Sequence, residues 1–141
     1  MLVKWLTIGN NKDDMTLNEA DAFCPYYHHA VELIGRRWTG AILRAMLAGV
    51  SRFSDLTDTI PGLSDRMLSE RLKELEAEGL TVRSVIPETP VRVEYHLTEK
   101  GRALESVVEA VSAWAGEWLA HLVEDDSDAR ARAPAPLKAL Q

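Results

Sequence analysis

The sequence predicts an α+β chain, mostly α, in which helices surround one two-stranded β hairpin. Three observations carry this. Apolar residues recur every three or four positions over 38–47, 68–75 and 104–122, the period of a helix buried on one face. TVRSVI at 81–86 and RVEYHL at 92–97 have the period-two pattern of strands. Pro61-Gly62 and the stretch 87–91, with prolines at both 87 and 90, mark the turns between them.

The elements follow in order. Pro25 to Ile34 is a first helix, with proline in the first turn, where its missing N–H costs nothing. Trp38 to Leu47 is a second: Trp38, Ile42, Leu43, Met46 and Leu47 share a face, and Gly49 stops it. Ser54 to Thr59 is a short third, with Ser54 as its expected N-cap and Phe53 packing just before it. After the turn at Pro61-Gly62, Ser64 to Glu78 is a fourth, capped by Ser64 and stopped by Gly79. The hairpin comes next. Uniting its apolar faces pairs Val82 with Leu97 and Ile86 with Val93. Thr98 to Val123 is a single long fifth helix, N-capped by Thr98. Helix, short helix, tight turn, helix and hairpin, in that order, describe a winged helix-turn-helix with a two-stranded wing and a long C-terminal dimerisation helix.

With 141 residues and 46% hydrophobic content, the chain is sized for one domain with short tails. That domain is expected at 23–123, with a loose segment at 1–22 and a disordered tail at 124–141, where charge and then Ala/Pro composition offers little to bury. Met15 is a second candidate start. The opening MLVKWLTIGNNKDD is too briefly apolar for a secretory leader, and nothing nears the ~18 apolar residues of a membrane span. The single Cys24 excludes an intrachain disulfide framework and fits a cytoplasmic protein. The net charge of -6 is unevenly spread. Residues 35–102 carry eleven Lys/Arg against ten Asp/Glu, and the rest five against twelve. A DNA-binding face must therefore come from local clustering.

In the fourth helix Leu68, Leu72 and Leu75 form an apolar stripe, with Arg66, Glu70, Lys73 and Ala77 opposite and Ser69 at the edge. The N-terminal half of such a helix reaches base edges, so Arg66 and Ser69 are the first candidates for base contact. Ser64 and Lys73 flank them. Arg36, Arg37 and Thr39 at the start of the second helix, Arg52 before the third and Arg92 near the wing tip are candidates for phosphate contact. Arg71, on the flank of the stripe, is expected to be structural, with Glu94 as a candidate partner. The ordinary alternative for each charge is a solvated helix face.

These residues carry a family resemblance. HHAVELIGRRWTGAILRAMLAG, RFSDLTDTIPGLSDRMLSERLKELEAEGL and PETPVRVEYHLTEKGRAL together resemble the HxlR-type winged-helix regulators of bacteria and archaea, over residues 23 to 115. The resemblance implies a homodimeric, DNA-binding transcriptional regulator. Arg36-Arg37 stands where the family commonly has a small residue and a lysine, which keeps the basic character. Some members use a cysteine before the first helix to sense electrophiles or oxidants, and Cys24 matches that position.

Cys24 has His28 one helical turn away and Pro25 beside it, a setting in which thiol chemistry occurs. A packing cysteine is the plain alternative. Cys24, His28 and His29 lack a fourth ligand at a known spacing, so no metal or cofactor is expected. No nucleophile, carboxylate-pair or phosphate-loop signature points to an enzyme. The fifth helix carries a wide stripe that includes Val111, Trp114, Trp118 and Leu122, more than a small domain can cover. A homodimer seam built with the first helix accounts for it. The expected partners are thus double-stranded DNA, a second copy of the chain and a small electrophile or oxidant at Cys24. A winged-helix protein-interaction module without DNA binding is the competing reading.

Overall fold

Residues 22–122 are described by the structure, a computed structural model. They divide into two units between Arg36 and Arg37. The expectations for 1–21, for Val123 and for the tail at 124–141 lie outside the described residues.

The first unit holds α1 (Pro25–Ile34). Cys24 is its N-cap, in extended conformation, and the sulfur accepts the Tyr27 N–H at 3.4 Å. Phe23, Tyr26 and Tyr27 are exposed.

The second unit is built on three helices whose apolar stripes converge. α2 (Thr39–Leu47) contributes Ile42, Leu43 and Met46, α3 (Phe53–Thr59) contributes Leu56, and α4 (Asp65–Ala77) contributes Leu68, Leu72 and Leu75. Leu80 and Tyr95 complete this core from the hairpin side. Ser64 caps α4 as expected, its oxygen accepting the Met67 N–H at 3.1 Å. At the other end Gly79 takes φ +75, the left-handed conformation that closes a helix. The Leu80 N–H then reaches back to the Leu75 carbonyl at 2.8 Å.

The short helix starts one residue earlier than expected. Arg52, not Ser54, is the N-cap of α3, and it makes no side-chain cap bond. The chain is held just upstream, where the Tyr95 N–H donates to the Ser51 carbonyl at 2.7 Å and the Arg52 backbone forms an isolated antiparallel β-bridge with that of Glu94. The helical ladder begins directly after, with the Leu56 N–H on the Arg52 carbonyl at 3.0 Å.

The strands β1 (Thr81–Ile86) and β2 (Arg92–Leu97) have the expected bounds and antiparallel pairing. Their register is one residue off the expectation: Thr81 faces Leu97, Arg83 faces Tyr95 and Val85 faces Val93. Hydrogen bonds from outside the strands decide this. The Thr98 N–H donates to the Leu80 carbonyl at 3.0 Å, and the Thr98 hydroxyl donates to the Gly79 carbonyl at 2.6 Å. With Leu80 set against Thr98, Thr81 turns inward and is buried, while Val82 is left exposed.

The expected single helix after Thr98 is two. α5 (Glu99–Arg102), capped by Thr98, is followed by a turn at Ala103-Leu104 and by α6 (Glu105–Trp118). Gly101, a weak helix former, is buried against the Leu80 carbonyl and the Leu97 side chain, so the turn is held by packing rather than by helical propensity. Residues 120–122 resume a helical turn beyond Leu119.

Candidate nucleic-acid interface

The recognition candidate is α4. Its three leucines are fully buried, so the opposite face is turned outward. Arg66, Glu70, Lys73 and Ala77 are exposed there, and Ser69 is half-buried at the edge. The Arg66 side chain is 90% exposed and its Nε lies 3.4 Å from Oε1 of Glu70. An exposed pair of this kind is worth about 0.2–1 kcal/mol, little enough to be given up for a better partner. The Ser64 oxygen accepts the Met67 N–H as a cap, which leaves its hydroxyl proton and one lone pair for another partner.

The start of α2 is shaped by Trp38, whose backbone is left-handed at φ 77. The Arg37 guanidinium lies over the indole, 5.2 Å from its centroid. Arg71 secures this turn from α4: its Nε donates to the Arg37 carbonyl at 2.9 Å, and its Nη1 pairs with Glu74 at 3.1 Å. Arg71 is thus structural, but Glu94 is not its partner. Glu94 is taken by Arg92 at 3.0 Å and by His96 at 3.0 Å. Thr39 is only 1% exposed, so the expectation of a phosphate contact there is withdrawn. Arg36 and Arg37 are exposed.

Arg92 is not a free arm at the wing tip. It stands between Glu88, at 3.4 Å, and Glu94, and its side chain is 30% exposed. Its Nε is close to the Glu94 carboxylate without the alignment of a hydrogen bond.

A cleft of about 700 Å³ separates α4 from the inner face of the hairpin and the start of α3. Phe53 and Tyr95, with rings 6.5 Å apart, help to line it, along with Arg52, Lys73, Arg83 and Glu76. Arg83 was missed by sequence reasoning. The expected register places it on the outer face; the observed register sets it beside Tyr95, on the inner one. The signal that could have found it is the Thr98 cap, which ties β2 to the end of α4.

Val111, Trp114, Trp118 and Leu122 lie along one side of α6 and the turn after it, each more than half exposed. Among the described residues no group of three or more His, Cys, Asp or Glu is placed to hold a metal ion, and no helix is long and apolar enough to cross a membrane.

Comparison with known proteins agrees with this arrangement. The sequence profile of the family described as HxlR-like helix-turn-helix matches residues 33–123. YvaP, an HTH-type transcriptional regulator of Bacillus subtilis, is 48% identical over 103 residues, covering 73% of this chain and 94% of that protein. The reduced form of the transcriptional regulator YodB from B. subtilis is 48% identical, with a TM-score of 0.60 over 68% of this chain and 94% of that one. The quinone-bound form of YodB is 43% identical, with a TM-score of 0.59, covering 68% of this chain and all of that one.

Proposed function

The chain belongs to the HxlR-like helix-turn-helix family, and on that premise we propose that it is a cytoplasmic, sequence-specific DNA-binding regulator of transcription that acts as a homodimer. The observation that carries this reading is the outward face of α4. Three buried leucines lock the helix, and Arg66 and Ser69 stand in its N-terminal half, on or at the edge of the face left to solvent. Arginine there can bond guanine through two donors, and serine can serve either base type. Arg37, Arg52 and Lys73 flank that face as phosphate partners, with Arg36 beside Arg37 in the chain, while Arg92 is held by Glu88 and Glu94.

The homodimer is supported by α6. Its exposed tryptophans fall on the same side as Val111 and Leu122, an apolar stripe that one chain leaves uncovered. Two-fold pairing would present two copies of α4 to half-sites about one DNA turn apart.

Response to electrophiles is the finer part of the proposal. Cys24 is a free thiol at the first turn of α1, and quinone is bound in a structure of the similar YodB. In this reading the thiol adds across a quinone double bond. A C–S bond forms, the thiol proton passes to the ring, and the adduct's bulk at α1 leads to release of DNA.

The test is a gel-shift titration of the whole protein with duplex DNA from upstream of its own gene, against a scrambled duplex. Preferential binding of the upstream duplex is expected. Failure to bind either duplex would sink the DNA-binding reading and leave a protein-interaction module.

A further inference from the structure

Four cations line the cleft beside α4: Arg92 of β2, which is held by Glu88 and Glu94, and three more from three other elements. Arg52 stands at the head of α3, Lys73 on α4 and Arg83 on β1. Each is mounted on constrained backbone. The Arg52 backbone is fixed by an isolated antiparallel β-bridge with that of Glu94 and by the adjoining bond from the Tyr95 N–H to the Ser51 carbonyl. Lys73 follows the fully buried Leu72. Arg83 is locked by strand pairing opposite Tyr95, itself 5% exposed.

Their electrostatic state sets them apart from the cations that already hold a carboxylate. Arg66 has Glu70, Arg71 has Glu74, and Arg92 has Glu88 and Glu94. Among the described residues no carboxylate pairs with Arg52, Lys73 or Arg83. Glu76 is the one acidic residue lining the cleft. Glu94, across the bridge from Arg52, is already engaged by Arg92 and His96. The cleft is therefore a site of uncompensated positive charge, flanked by the recognition helix and the wing. A cation matched by its own carboxylate must surrender that partner to take a phosphate. An unmatched one exchanges only mobile counterions, and that exchange drives phosphate binding.

We propose that Arg52, Lys73 and Arg83 form a phosphodiester seat, in which a backbone phosphate of duplex DNA lodges between α4 and the inner face of the wing. This rests on the DNA-binding reading above, which takes Arg52 and Lys73 as separate phosphate partners, and adds Arg83 and the joint hold of all three on one phosphate. The planar guanidinium of Arg83 suits two oxygens of one phosphate, and Lys73 adds a point charge from the helix side. Phe53 and Tyr95 supply the aromatic part of the same lining. Such a contact sets affinity and the docking register of α4 without reading sequence.

The experiment is fluorescence polarisation with a duplex of arbitrary sequence and with the upstream duplex, at several salt concentrations. It compares the natural protein with Arg83→Gln, Arg83→Lys and Arg92→Gln. Arg83 is exposed and unpaired, so its substitution leaves the fold intact, which circular dichroism checks. Arg83→Gln is expected to lower the slope of log affinity against log salt by about 0.9, equally on both duplexes. Arg83→Lys should restore most of the slope, and Arg92→Gln should lower it much less. If Arg83→Gln matches the natural protein in slope and affinity, the seat is refuted and DNA binding stands. A loss with Arg92→Gln equal to that with Arg83→Gln also overturns the assignment. A natural protein that binds neither duplex overturns the seat and the functional reading together.

Discussion

Replacing Trp118 by alanine tests the dimer seam, and the structure sets the scale. A tryptophan side chain can bury about 150–250 Å². Trp118 is 59% exposed in the single chain, which leaves roughly 90–150 Å² for a partner. At about 25 cal/mol per Å² that is roughly 2–4 kcal/mol for each ring. A two-fold dimer loses two rings, but the part of the transfer energy that survives as affinity is smaller, because binding also has ordering costs. A loss near 2–4 kcal/mol in all is expected, or a dimer dissociation constant raised roughly 30- to 1000-fold. Sedimentation equilibrium measures it, with circular dichroism confirming that the variant folds. Since most of the ring is already in solvent within one chain, folding should change little. Affinity for a two-half-site duplex should fall alongside dimerisation. A natural protein that stays monomeric at micromolar concentration refutes the reasoning, as does a Trp118→Ala dimer of unchanged affinity.

Arg66→Ala should weaken binding of the upstream duplex by about 1–3 kcal/mol and relax preference at one base position; unaltered preference across a panel of single-base variants removes Arg66 from base reading. Cys24→Ser should bind DNA as the natural protein does but lose the release caused by a quinone or diamide. Equal sensitivity of the two proteins, or none in either, leaves Cys24 as a packing residue and helix cap. Gly62→Ala should destabilise the chain by about 1–2 kcal/mol, because φ is +82 there, and more if Trp38 cannot yield. The added methyl would stand 3.3 Å from Cη2 of Trp38. A thermal melt with an unchanged midpoint would contradict this.

Much of the fold was legible in the sequence where local chemistry and tertiary packing ask for the same thing. Leu68, Leu72 and Leu75 announce the buried face of α4, and Ser64 and Gly79 its ends, because stripe, cap and stop are all short-range signals. The hairpin bounds were legible for the same reason. Its register was not: matching valines to apolar partners is a local criterion, whereas the Thr98 bonds to Gly79 and Leu80 join residues 18 and 19 positions apart. The same slip hid Arg83. The turn at Ala103-Leu104 was masked by continuous helical periodicity on both sides of it. Pairing of charges was equally opaque. Facing alone suggested Arg71 with Glu94, but Glu74 lies one turn along α4, and the Arg37 carbonyl is supplied by a left-handed turn that no pattern at Trp38 foretells.

The Thr98 junction has a mechanical consequence. The last carbonyls after α4 are spoken for by the segment that begins α5: Glu78 by the Lys100 ammonium at 2.6 Å, Gly79 by the Thr98 hydroxyl, and Leu80 by the Thr98 N–H. Three short bonds thus weld the tail of one helix to the root of the next, with the wing looped out between them. A displacement of α6 passes through the packed turn at Ala103-Leu104 and then through this splice into α4. The pitch of the recognition helix is therefore geared to the C-terminal arm through a linkage only a few residues long, with almost no slack to absorb the motion.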